Sequence, residues 1–224
     1  MKLLLVFITI FYSFLLSFLF KRPFSFYVTS QFSPVGLFLE ILGLILSFAL
    51  IFRFKGKYGF YNTFSFFVPL FLIGALVEGD WILKQRFAFH KLNFYFWDTP
   101  VVIILYYSGT SLLYALYQKL GKGWFNRLKG VIIHLLADTL ISTPFGIMFG
   151  FWTFRSTALS VYPYIVPPVH LGEVSLGLFY VLFQEWFIGE AKIDEKWKPV
   201  ISLSLIFCLL ALYSFTNHYF DRLI

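Results

Sequence analysis

A small set of ionisable side chains interrupts sequence that is otherwise apolar: Glu40, Glu78, Asp80, Asp98, His134, Asp138, His170, Glu173 and Glu185. A carboxyl group withdrawn from water has its pKa raised and keeps its proton, so it can serve as a general acid. Directed at a carbon–carbon double bond, such an acid generates a carbocation, which aromatic faces stabilise. Water capturing that cation gives a tertiary alcohol, and an internal alkene gives a ring. Two pairs have helical spacing: His134 and Asp138 are i,i+4, and His170 and Glu173 are i,i+3. Each pair therefore shares one face of its helix, and that face is expected to point at the interior of a bundle.

The surroundings explain why these residues are informative. Of the 224 residues, 59% are hydrophobic and 13% charged, against about 45–50% and about 25% in ordinary soluble domains. The apolar residues fall in blocks of roughly 18 to 25, the length that crosses about 30 Å of hydrocarbon. In that medium a charge at mid-depth costs about 2.5 to 3.5 kcal/mol even on the lenient insertion scale. The reading is an all-α polytopic membrane bundle, with residues 1–224 forming one domain. Its seven helices are Leu3–Phe20, Val35–Phe52, Tyr61–Leu83, Thr99–Tyr117, Gly130–Trp152, Ile165–Gly189 and Pro199–Asn217. The first block ends in Lys21, Arg22 and Pro23 with no small-residue cleavage site, so it reads as a membrane helix and not a signal peptide.

Lys and Arg total 11 on the amino-terminal side and 7 on the other, so the amino terminus is expected in the cytoplasm. The net charge of +7 is scattered between the blocks, which argues for topology signals and lipid headgroups and against a nucleic-acid partner. Every Trp falls at or near a block end, as expected for the headgroup layer. Pro69 and Pro144 are expected to kink their helices or free carbonyls. Gly146 and Gly150 form a GxxxG pair suited to close approach of another helix. The single Cys208 lies inside the last block and can form no intrachain disulfide.

With the amino terminus inside, Glu40, Glu78, Asp80, Asp98, His170 and Glu173 converge on the outer half. Asp138 falls near mid-membrane and Glu185 toward the cytoplasm. A polar floor and wall are expected inside an aromatic cavity roofed by two connections, Lys84–Asp98 and Thr153–Tyr164, with Arg155 able to pair with an outer carboxylate. Candidate catalytic residues are Glu78, Asp138, Glu173, Asp80 and His170. Candidate substrate contacts are Glu40, His134, Asp98, Trp97, Trp152 and Arg155. Interfacial hydration or capping competes with function for Asp98, Asp80 and Glu185, and His134 has a simple alternative as a partner of Asp138.

Several chemistries lack their residues. Four His without an HxxH or HxxxH pair do not make the histidine boxes of membrane hydroxylases. There is no DDxxD or DxxxD for magnesium diphosphate, no Gly-x-Ser-Gly for a rhomboid-like protease, and no Lys in the last helix for a retinal Schiff base. No metal and no cofactor is expected, although a metal site from His170, Glu173, Glu78 and Asp80 is chemically allowed. The substrate expected is a lipophilic polyene or isoprenoid, alongside membrane lipid. A small proton-coupled transporter using the same carboxylates as a relay, or a non-catalytic membrane scaffold, stays open beside the enzyme.

The stretch Gly74 to Tyr114, GALVEGDWILKQRFAFHKLNFYFWDTPVVIILYYSGTSLLY, resembles the carotenoid biosynthesis membrane proteins that include bacterioruberin-type carotenoid hydratases. Glu78, the FAFHKLNFYF stretch and Pro100 stand where that family has a helix-borne Glu, an aromatic connection and a Pro-led helix. The stretch beginning DTLISTPFGIMFGFWTF and ending YPYIVPPVHLGE is similar to the family's later half, with Asp138, Gly150, Trp152 and Pro167 matching. VHLGE replaces the family's Asn-Phe-x-Gly-Trp entry. The resemblance implies a carbocation-based hydratase acting on the end of a linear carotenoid in a prokaryotic cytoplasmic membrane, with Glu78 and Asp138 as acid and water-positioning groups. Terpene cyclases and carotenoid cyclases share the acid-initiated step, although the Pro-x-Glu-Glu signature of membrane lycopene cyclases is missing.

Overall fold

The computed structural model describes residues 1–79, 87–106, 143–154 and 191–220, with a few single positions between them. The chain is mostly helical. Three described helices are long and apolar enough to cross a membrane: Lys2–Leu19, Pro34–Leu76 and Lys198–Phe215. We label the elements α1 (Lys2–Leu19), β1 (Phe26–Val28), α2 (Pro34–Ile73), a π-helical turn (Gly74–Glu78), β2 (Phe87–Phe89), β3 (Phe94–Phe96) and β4 (Thr99–Pro100). They continue with α3 (Val101–Tyr106), α4 (Thr143–Met148), β5 (Trp152–Phe154) and α5 (Lys198–Phe220).

α2 starts at a complete cap: the Ser33 side chain accepts from the Gly36 amide at 3.1 Å, and Pro34 fills the first turn, where its missing N–H costs nothing. Within its 40 residues only Gly59 leaves helical geometry, at φ 77° and ψ 174°, a region essentially reserved for glycine. The consequence shows in the rings. Phe54 stacks on Phe66 at 5.1 Å and meets Phe67 edge-on at 5.4 Å, whereas twelve residues of straight helix would separate them by about 18 Å. α2 is therefore a helical hairpin folded at Gly59.

This changes two expectations. The segment carrying Arg53, Lys55 and Lys57 is helix up to Gly59, because long basic side chains favour helix and can reach water from it. Pro69 lies in the returning arm without breaking it. Its fixed φ suits a helix and only one hydrogen bond is lost, while the positive φ of Gly59 cannot be helical.

α1 and α5 run parallel. Tyr12 stacks on Phe207 at 5.1 Å and its hydroxyl meets Ser204 Oγ at 3.0 Å, and further along Phe20 stacks on Tyr213. The buried core lies where these helices meet α2, around Leu16, Phe66, Leu70, Ile73, Leu203 and Ile206. Away from that seam α1 exposes Phe7, Phe14 and Phe18, and α2 exposes Phe38, Ile45 and Phe52, a surface suited to lipid.

The connections hold the other departure from an all-helical reading. Their short aromatic runs FYV, FAF, FYF and WTF are good strand formers and pair in two small antiparallel sheets, ordered β1-β3-β4 and β2-β5. Phe26 faces Phe96 and Val28 faces Phe94 in the first, and Phe87 faces Phe154 and Phe89 faces Trp152 in the second. The two connections expected to form a roof are thus joined through β2 and β5. The expected helix through Trp152 ends at Met148, because Gly150 adopts φ 67° in a Schellman stop, with Phe151 N–H donating to Gly146 O and Gly150 N–H to Ile147 O. Gly146 is small for its own reason: a Cβ there would enter the Trp152 indole. Among the described residues the GxxxG pair ends a helix and seats a tryptophan.

Candidate functional site

At the end of the hairpin away from Gly59, α1, the start and finish of α2 and the first sheet converge. β3 and β4 are joined by the two residues Trp97 and Asp98, with φ of 50° and 64°. Positive φ at both positions is type I′ turn geometry, normally supplied by Asn-Gly. A bulky tryptophan there is strained and must be held by its neighbours. Its ring is fully buried and packs on Phe24 at 5.3 Å and Phe96 at 5.1 Å, while Phe71 meets Phe96 at 5.3 Å. The Trp97 amide donates to Ser25 O at 3.0 Å, and the buried indole Nε1 has no hydrogen-bond partner among the described residues.

Asp98 is fixed from two sides. The nearly fully buried Arg22 guanidinium donates through Nη2 to Oδ2 at 3.0 Å, and the Tyr27 hydroxyl donates to Oδ1 at 3.3 Å. Burial first, then the charge of Asp98 and this hydrogen bond, push the Tyr27 hydroxyl up to about 12. Arg22 Nη1 also points at Leu76 O at 3.5 Å, and Thr99 Oγ1 donates to Ala75 O at 2.9 Å. Both acceptors belong to the π-helical turn, and Leu76 O also accepts from the Gly79 amide. Gly79 follows that turn, and a Cβ on it would strike the Arg22 guanidinium and Trp97 O. The close approach of three chain segments there requires a glycine.

Glu40 has a different task. Its Oε1 accepts from the Asn93 and Phe94 amides at 2.8 and 3.0 Å, and its Oε2 from Asn93 Nδ2 at 2.9 Å. The Asn93 side chain also exchanges hydrogen bonds with the Ser33 backbone, at 2.7 and 3.0 Å. Both residues are buried, so this carboxylate ties the connection after β2 to the start of α2. Neighbouring Tyr95 is raised above its ordinary pKa by burial and by the Glu40 charge.

Of the expected site residues, the structure gathers Trp97, Asp98 and the backbone of Glu78 at one end, with Glu40 beside them in the same sheet region. Trp152 lies at the second sheet, against Gly146 and edge-on to Phe89 at 6.2 Å. There His90 meets Thr153 Oγ1 at 3.0 Å and Lys91 Nζ donates to Phe149 O at 2.9 Å. The Glu78 side chain, and Asp80, His134, Asp138, Arg155, His170, Glu173 and Glu185, lie outside the described residues. Among the described residues the ion-pair partner of Asp98 is Arg22. Arg22 and Asn93 were not singled out as site residues by the sequence reading. The available signal for Arg22 was an Arg-Pro step directly after an apolar block. Lys21, at φ 51°, turns the chain so that it stays exposed while Arg22 goes inward.

No family model, curated protein or solved structure matches this chain.

Proposed function

We propose that the chain is an integral-membrane isoprenoid-modifying enzyme that hydrates the end group of a linear carotenoid by acid-initiated addition of water. The observation that carries this reading is the meeting of the π-helical turn that bears Glu78 with the aromatic group of Phe24, Phe71, Phe96 and Trp97. An acid offered from such a turn can protonate a terminal alkene, and ring faces can stabilise the resulting tertiary cation. In this reading Asp138 and Glu173 complete the acid set, Asp138 as the water-positioning group, and Asp80 and His170 are further candidate catalytic residues. The bundle has seven spans with a cytoplasmic amino terminus, in a prokaryotic cytoplasmic membrane. The parallel run of the first and last helices supports an odd number of spans, and the excess of Lys and Arg on the amino-terminal side supports that orientation.

The test is coexpression with a lycopene-producing pathway and chromatography of the pigments. A new, more polar carotenoid in the wild type that disappears in Glu78→Gln and Asp138→Asn is the expected outcome. A ring-bearing product of unchanged mass would move the assignment to a cyclase. No new pigment, or full activity in both variants, would overturn the reading.

A further inference from the structure

The surface at the sheet end carries a second feature. Among the described residues β1 is an edge strand of its sheet, paired on one side by β3, and all three of its residues are exposed: Phe26 at 62%, Tyr27 at 41% and Val28 at 53%. Phe24 and Phe32 on either side are also exposed. A water-facing apolar edge of this kind is an aggregation hazard that proteins normally blunt. Here the patch is continuous with the lipid-facing side of α1, because Phe14 stacks on Phe24 at 6.4 Å and Phe18, in the last turn of the same helix, is 81% exposed.

Depth follows from length. The 18 residues of α1 rise about 27 Å at about 1.5 Å per residue, close to the hydrocarbon thickness of about 30 Å. Leu19 therefore reaches the boundary, and the strand that follows cannot be far from it. The open strand edge cannot enter the hydrocarbon itself, where unpaired backbone groups cost several kcal/mol each. Aromatic side chains with hydrated backbone fit one layer only, the headgroup region.

We infer that Phe24, the strand Phe26–Val28 and Phe32 form an interfacial anchor that lies in the headgroup layer of the bilayer, with the exposed Lys21 ammonium at the level of the lipid phosphates. The occupant of this surface is phospholipid. The inference rests on membrane embedding of the chain and is independent of any reaction it catalyses.

Site-directed nitroxide labelling tests it. In a Cys208→Ser background, single cysteines replace Phe26, Ile45 and Lys57 in turn, and the protein is reconstituted into phosphatidylcholine–phosphatidylglycerol vesicles. The ratio of collisions with oxygen to collisions with a nickel chelate reports depth. The label at Phe26 is expected several-fold above the one at Lys57 and several-fold below the one at Ile45. A Phe26 ratio equal to that at Lys57, with Ile45 deep, overturns the anchor and leaves membrane embedding standing. A ratio as high as at Ile45 overturns the headgroup placement. Protection from both reagents with spin–spin broadening would assign the edge to a second copy of the chain. A shallow Ile45 would remove the membrane reading itself.

Discussion

Arg22 and Asp98, 76 positions apart in sequence, meet in an ion pair of 3.0 Å at the end of the bundle where the Glu78 turn, a strained tryptophan and the first sheet come together. The pair is asymmetric: Arg22 is 4% exposed and Asp98 36%. The guanidinium has exchanged water for a carboxylate and the rim of a π-helical turn, whereas the carboxylate keeps a wet side. Loss of Asp98 is therefore the more damaging change, because it takes a charged partner away from a buried guanidinium. Asp98→Ala is expected to destabilise the protein by about 1 to 3 kcal/mol, and Arg22→Met by less. Thermal unfolding in detergent checks the order. A double mutant as stable as Arg22→Met alone would confirm that the two side chains act as one unit.

The carboxylate of Glu40 has its hydrogen bonds committed to the connection through Asn93. Glu40→Ala is expected to release that connection, raising the rate of proteolytic nicking within residues 84–98, and Asn93→Ala to do the same. The two changes together should add little to either alone, because both break one network. Nicking that stays at the wild-type rate in Glu40→Ala would show the tie to be dispensable.

Two glycines near the hairpin bend give a controlled comparison. An added Cβ meets nothing within 4 Å at either Gly56 or Gly59, so any difference between them is a matter of backbone. Gly59→Ala must hold a φ of 77° and is expected to cost about 1 to 3 kcal/mol. Gly56→Ala lies in regular helix and is expected to stabilise by about 0.5 to 1 kcal/mol. Equal melting temperatures for the two variants would contradict the fold at Gly59.

Tyr27 supplies a pH dependence. Its hydroxyl is held at about 12 against an ordinary 10.0, so the folded protein keeps this proton more tightly than the unfolded chain does. The associated stability is complete below pH about 10 and is lost as the pH rises through about 12. Subtracting the tyrosinate titration of Tyr27→Phe from that of the wild type should leave one component with its midpoint near the upper value. The wild-type melting temperature should also fall more steeply than the variant's across this interval. A difference component centred near 10.0 would contradict both the burial of this hydroxyl and its contact with Asp98.

Much of the fold was legible because hydrocarbon imposes one simple demand, a long apolar helix. α1 and α5 agree with their expected limits to within a few residues, and the start of α2 at Pro34 announces itself through the Ser-Pro cap. The convergence of Glu40 and Asp98 at one end followed from counting passes through the bilayer. The turn between the second and third expected helices falls at Gly59, inside the gap left between Phe52 and Tyr61, although the helix runs further into that gap than hydropathy suggested. The connections were read as loops between helices because a three-residue strand has almost no periodicity of its own and becomes stable only when a partner lies beside it.

By itself, the sequence determined the mostly helical character, the apolar lengths, the basic connections and the few acids available for chemistry, because composition and hydropathy are properties of each segment alone. Which of those acids is tied up and which cation neutralises it was decided by tertiary structure. Glu40 became a clamp on Asn93, and Asp98 took Arg22. These pairings join segments tens of residues apart, and a buried charge finds its partner by proximity in the folded chain, which no local pattern encodes.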